Sequence, residues 1–129
     1  MDEAVIDRLV QHARRSAPDE CCGLLVGDGG RLLHDHPAAN ADPAPRRRYL
    51  IDPSDHFAAI KRAREAGLQV VGAYHSHPRG SAVPSATDAA EGFADFLFVI
   101  VGLGGREPDV RGWEWKAGNF MPVRLVRTR

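Results

Sequence analysis

With 129 residues the chain has the length of one domain, 1–129, and it can bury a core without staples. Its formal net charge is zero, so nothing favours long-range attraction to nucleic acid or to a membrane surface. No apolar run approaches the roughly 20 residues that cross a bilayer, and the acidic start Met1-Asp2-Glu3 is no signal peptide, so a reducing cytoplasm is expected.

In chain order, Val5, Ile6, Leu9, Val10 and Ala13 share one face of a helix that runs from Asp2 to Ser16, capped by Asp2 and ended by Pro18. Glu20 to Gly27 predicts a buried strand that enters a hairpin at Asp28-Gly29-Gly30. Arg31 to His36 is its expected partner, stopped by Pro37, and residues 37–45 read as a surface loop. A short strand is expected over Arg47 to Ile51. A helix then runs from Asp52 or Ser54 to about Ala66, with Phe57, Ile60 and Ala63 facing inward and Gly67 just past its end.

Leu68 to Tyr74 predicts a strand, Pro84-Ser85 a short helix toward Gly92, and Phe96 to Val101 a central strand. Val110 to Lys116 and Met121 to Val126 read as two last strands around a turn at Ala117-Gly118-Asn119. The sum is a mixed sheet with two long helices and one short one, an α/β sandwich.

His75 and His77 sit two apart at a strand end, so both imidazoles point to one side and can share a cation. His34-Asp35-His36-Pro37 is an internal control. It repeats the His-x-His-Pro pattern, but the residue eleven past His36 is Arg47, whereas the residue eleven past His77 is Asp88. His34 and His36 are therefore read as ordinary histidines. Ser85-x-x-Asp88 has the form of a capping box. A helix start there would also turn Asp88 toward the histidines as a third ligand and leave the Ser85 hydroxyl free to donate to a developing oxyanion.

Spacing alone leaves Glu20 either a solvated turn residue or the base that a three-ligand metal site needs. Glu65 and Glu91 fit helix surfaces better. Cys21 and Cys22 point to opposite faces of a strand and read as buried structural thiols, neither a disulfide nor a joint metal site. Trp113 and Trp115 share a strand face suited to core packing or to an interface. Exposed strand edges and that face leave a homodimer open. Arg46-Arg47-Arg48, with Lys61, Arg62 and Arg64, reads as solvated surface. A nucleobase deaminase is excluded, since His-x-Glu and Pro-Cys-x-x-Cys are missing, and so is a His-Glu-x-x-His protease.

Glu20 before Cys-Cys-Gly-Leu-Leu-Val-Gly, then His75-Ser76-His77-Pro78, then Pro84-Ser85-x-x-Asp88, resembles the JAMM (MPN+) metalloprotease family, its short bacterial branch in particular. The resemblance covers nearly the whole chain. It implies a cytidine-deaminase-like three-layer sandwich, with one zinc ion per chain held by His75, His77 and Asp88. It further implies Glu20 as general base and Ser85 as oxyanion donor. The implied substrates are peptide or isopeptide bonds after the Gly-Gly tail of a ubiquitin-like or sulfur-carrier protein, with release of cysteine as one known type. A non-catalytic scaffold of the same fold and a general small-peptide hydrolase are the alternatives.

Overall fold

In a computed structural model, which describes residues 2–28, 31–90 and 96–128, helix α1 covers Glu3–Ser16. Its start is fixed by the Asp2 carboxylate, which accepts the Ala4 N–H at 3.0 Å and so satisfies one of the donors a helix start leaves free. Six strands follow: β1 (Cys22–Asp28), β2 (Arg31–Ala38), β3 (Gln69–His77), β4 (Leu97–Gly102), β5 (Asp109–Lys116) and β6 (Asn119–Val123). They form one sheet in the order β2-β1-β3-β4-β5-β6. All neighbours are antiparallel except β3 and β4, which run parallel. A parallel pair needs a crossover. Here the crossover carries the histidine loop and helix α3 (Ala86–Ala90).

Strand alternation divides the buried residues between two sides. On one side Val5, Leu9 and Ala13 of α1 pack on Cys21, Leu25, Tyr74, Val99 and Val101. On the other, Ala59 of helix α2 (Pro53–Glu65) packs on Leu24 and Ala73. The sheet is thus the middle of three layers. Burying the larger side chains is worth roughly 1.5–3 kcal/mol each, and the α1 side holds most of them. Among the described residues no helix is long and apolar enough to cross a membrane.

Several expectations fail for identifiable reasons. Pro37 does not stop β2, which runs on to Ala38 with Pro37 opposite Gly23. The strand is at the sheet edge, where a missing N–H costs no ladder bond. Glu20 lies outside β1, two residues before Cys22. No strand forms over Arg47 to Ile51; only Ile51 bridges, to Asn40.

On α2 the inward face is Ala59 and Ala63. Phe57 is 76% exposed and Ile60 40% exposed, because small residues let the helix lie close to the sheet and turn the large ones out. The helix nevertheless begins at the Asp52 cap and ends before Gly67, whose φ of 73° suits the position after a helix. The last strand ends at Val123, three residues earlier than its apolar pattern predicts. The Gly29-Gly30 turn and the end of the short helix toward Gly92 lie outside the described residues.

Both thiols are buried and free, on different faces. Cys21 belongs to the α1 side, and the Cys22 thiol lies 3.5 Å from the Ala39 carbonyl. Burial pushes them up to about 11 and about 12, so neither is a ready nucleophile. Trp113 and Trp115 are half-buried within the fold. The Trp113 indole donates to the Ala82 carbonyl at 2.9 Å, and Trp115 meets Phe120 edge-on at 4.9 Å.

Candidate metal centre

Strand β3 runs through the histidines to His77. In register, Ala73 faces Leu24 and His75 faces Cys22, so Ala73, His75 and His77 share the α2 side of the sheet. Tyr74 and Ser76 turn to the α1 side. Carrying the β1 alternation back from Cys22 puts Glu20 on the histidine side as well.

The loop beyond His77 is stapled down. The His77 carbonyl accepts the N–H groups of Gly80 and Leu103, and the Gly80 carbonyl accepts that of Gly104. The Ala82 N–H donates to the Asp109 carboxylate at 2.9 Å. Gly102 makes room for this loop, since a Cβ there would stand 2.6 Å from the Gly80 carbonyl oxygen.

The Ser85–Asp88 capping box forms. The Asp88 N–H donates to Ser85 Oγ at 3.1 Å, and Asp88 Oδ2 accepts the Ser85 N–H at 2.8 Å. The serine oxygen is used as an acceptor, so its own proton remains available to donate. The same carboxylate reaches the histidines. Asp88 Oδ1 is 3.1 Å from His75 Nε2, Asp88 Oδ2 is 3.1 Å from His77 Nε2, and the two Nε2 atoms are 3.1 Å apart. His77 Nδ1 lies 2.8 Å from the Ser81 carbonyl, which can only accept. That bond keeps a proton on Nδ1 and leaves the inward Nε2 to donate when the ring is charged or to ligate a metal when it is neutral. His75 is fully buried and stacks on Tyr49, ring centroids 4.3 Å apart.

Glu20 closes the arrangement. It is only 7% exposed, and its carboxylate with His75 and His77 forms a group whose ligand atoms all lie within 4.8 Å of one another. Its backbone is clamped on both sides. The Glu20 N–H donates to the Pro45 carbonyl at 2.7 Å, and its carbonyl accepts from Asn40 Nδ2 at 3.0 Å. Asn40 also donates to the Arg48 carbonyl and accepts the N–H groups of Asp42 and Leu50.

Electrostatically the groups are pulled apart. Burial raises Glu20 to about 7; the negative charges of Asp88 and Asp42 add to this and His77 opposes it. Burial lowers His75, against the pull of Asp88. For His77 burial acts downward, yet the bonds to Asp88 and Ser81 prevail and it is raised. Burial acts upward on Asp88, but the hydrogen bonds from both imidazoles and from the Ser85 N–H hold it well below the ordinary carboxylate range.

These residues fit a cation. Two Nε2 atoms and a carboxylate converge at 3.1 Å, and they repel one another unless a proton or a metal ion stands among them. Among the described residues, Glu20 Oε1 and His75 Nδ1 are two of the three buried side-chain atoms with no hydrogen-bond partner, and such atoms in a fold commonly mark a functional site. Nitrogen and oxygen donors of this kind suit zinc with an open position. All five residues picked out in the sequence are thus gathered at one end of β1 and β3. His34 and His36 are not among them; both lie on edge strand β2. Asn40, Tyr49, Ser76 and Asp109 escape a sequence reading. For Asn40 a signal exists, since Asn and Asp in a proline-rich loop are turn organisers.

A mixed sheet between helices, with two histidines and two buried carboxyls at one end of its inner strands, defines a protein with a metal-capable centre. The chain matches the family model for prokaryotic homologs of the JAB domain over residues 2–116, and it belongs to that family. It is 34% identical to a desampylase of Haloferax volcanii over 93% of this chain and 89% of that one. It is 35% identical to a CysO-cysteine peptidase of Mycobacterium bovis over 74% of this chain and 68% of that one. A protein of Desulfitobacterium hafniense solved in solution superposes with a TM-score of 0.89 at 27% identity, covering 98% of this chain and 90% of that one.

Proposed function

We propose that the chain is a JAB-type zinc peptidase, a single domain over 1–129, cytoplasmic. It hydrolyses the bond after the Gly-Gly end of a ubiquitin-like or sulfur-carrier protein. The observation that carries this is the convergence of His75, His77 and Asp88 at 3.1 Å beside a buried Glu20 carboxyl whose Oε1 has no hydrogen-bond partner. The names of the relatives, a desampylase and a CysO-cysteine peptidase, point to conjugates of small carrier proteins.

His75, His77 and Asp88 would hold one zinc per chain. When bound, the ion would supply Lewis acidity, which polarises a carbonyl and lowers the pKa of water from 15.7 to about 7. Glu20, brought near neutrality by burial, takes the proton from the attacking water and passes it to the leaving amine. The Ser85 hydroxyl donates to the carbonyl oxygen as negative charge gathers there; loss of one such donor costs about 10²–10³ in rate. Tyr49 and the Ser81 carbonyl keep the two imidazoles in place. The histidine-bearing end of the sheet receives the glycine tail, which offers main-chain hydrogen bonds and no side chains to exclude.

Two measurements test this. Metal analysis of purified protein should give one zinc per chain; none at stoichiometric level would favour a scaffold without catalysis. Cleavage of a carrier–amino acid adduct should stop on chelation and in Glu20→Gln. Full activity in Glu20→Gln would refute the role given to that residue.

A further inference from the structure

The groove beside Glu20 has a feature that the hydrolytic step does not use. It encloses about 510 Å³, and three arginines line it with Glu20 and His77: Arg46 and Arg47 from the loop before α2, and Arg79 from the histidine loop. Arg46 leans on Asp19 at 3.9 Å. Arg47 and Arg79 are exposed and have no carboxylate partner among the described residues. In a chain of zero net charge, three arginines from two separate segments line one cleft.

We infer that this groove binds the free α-carboxylate of the leaving residue. The protein is thereby selective for carriers that bear a single terminal amino acid over carriers joined to a lysine side chain. The inference rests on the peptidase activity proposed above. Glu20 delivers its proton to the leaving amine, so that amine sits beside Glu20, on the groove wall. In an α-amino acid the carboxylate carbon is one carbon removed from the amine, about 2.5 Å away from standard bond lengths and angles. The charge therefore falls inside the same groove. A lysine ε-amine brings a hydrocarbon stem and an uncharged backbone to that place. Guanidinium binds carboxylate in a two-pronged, charge-assisted pair, which is why unpaired arginines suit this ligand better than a generic polar wall.

The test uses two probes made from one carrier with a Gly-Gly end, each extended by a single alanine: one with a free carboxylate, the other with a carboxamide. The amide removes the leaving residue's charge and leaves the carrier body and the scissile bond alone. Binding is measured by calorimetry to Glu20→Gln protein loaded with zinc, and kcat/KM is measured with the wild-type protein. The acid should exceed the amide by about ten- to a hundredfold in both, mostly through KM. In the double variant Arg47→Gln, Arg79→Gln the ratio should fall to about one, while Arg47→Lys with Arg79→Lys should keep part of it. Equal binding of acid and amide, no binding of either, or an undiminished preference in the glutamine double variant would overturn the inference. Efficient, Glu20-dependent cleavage of both probes at equal rates would overturn it and leave the peptidase activity standing.

Discussion

Ser76 and Cys21 exchange two hydrogen bonds: the Cys21 N–H donates to Ser76 Oγ at 2.8 Å, and the Ser76 N–H donates to the Cys21 carbonyl at 3.1 Å. Ser76 is the residue between the two histidines, and Cys21 follows Glu20. The pair therefore ties the strand that carries the metal ligands to the segment that carries the base. Ser76 is completely buried and facing the α1 side of the sheet, so its position within the His-x-His pattern is structural on one side and chemical on the other.

Ser76→Ala removes the acceptor and leaves the Cys21 N–H buried and unpaired. The expected loss is about 1–3 kcal/mol of stability, read by urea unfolding. The base segment is freed at the same time, so kcat should fall by more than KM changes. Zinc content should stay at the wild-type level, since no ligand is altered.

Asn40→Ala acts on the other side of Glu20. Asn40 holds the Glu20 and Arg48 carbonyls and receives two N–H groups. It touches the base segment and neither histidine. The expected outcome is a loss of kcat of at least about tenfold with zinc binding retained, checked by metal analysis beside a cleavage assay. Loss of zinc together with activity would mean that the loop supports the metal ligands instead.

The contrast between these two residues and the histidines marks what a sequence carries. His75, His77, Ser85 and Asp88 are legible because one strand end and one helix start hold all four, and local periodicity determines where each points. Glu20 is weakly legible alone, since its approach to His77 depends on the pairing of β1 with β3, in which Cys22 meets His75 far along the chain. Tyr49 acts through a contact that no local pattern encodes, and for Asn40 the pattern marks a turn but not its hold on Glu20. In the fold, the α1 stripe and the β4 run are plain because large apolar residues repeat at regular spacing. The face of α2 misleads for the opposite reason. Close approach to the sheet favours Ala59 and Ala63, and a rule that seeks large residues inside selects Phe57 and Ile60.

The turn between β5 and β6 offers a stability test away from the centre. Lys116 pairs with Asn119, leaving a two-residue loop, and both loop residues have positive φ: 51° at Ala117 and 78° at Gly118. That is the type I′ geometry, which favours Asn-Gly. Alanine there crowds its Cβ against the backbone at a cost of roughly 1–2 kcal/mol. Ala117→Asn should raise the unfolding free energy by about 0.5–1 kcal/mol, measured by urea titration, with zinc content and cleavage rate unchanged.

The strained charge at Glu20 predicts a pH effect in the metal-free protein. An unfolded glutamate titrates near 4.3, and burial raises it to about 7 in the fold. Between those values the folded chain binds more protons than the unfolded one, so stability falls as pH rises. The contribution is fully present below the unfolded value and is lost as pH passes through about 7. Glu20→Gln cannot ionise and has no such loss. The melting temperature of metal-free Glu20→Gln should therefore exceed that of metal-free wild type by a margin that grows from about pH 4 to about pH 8, a range that brackets both values. A margin that stays constant, or shrinks, would mean that the carboxyl is not strained in the fold. The substitution that removes the base would in that case relieve nothing, and the raised basicity on which proton transfer near neutral pH depends would be absent.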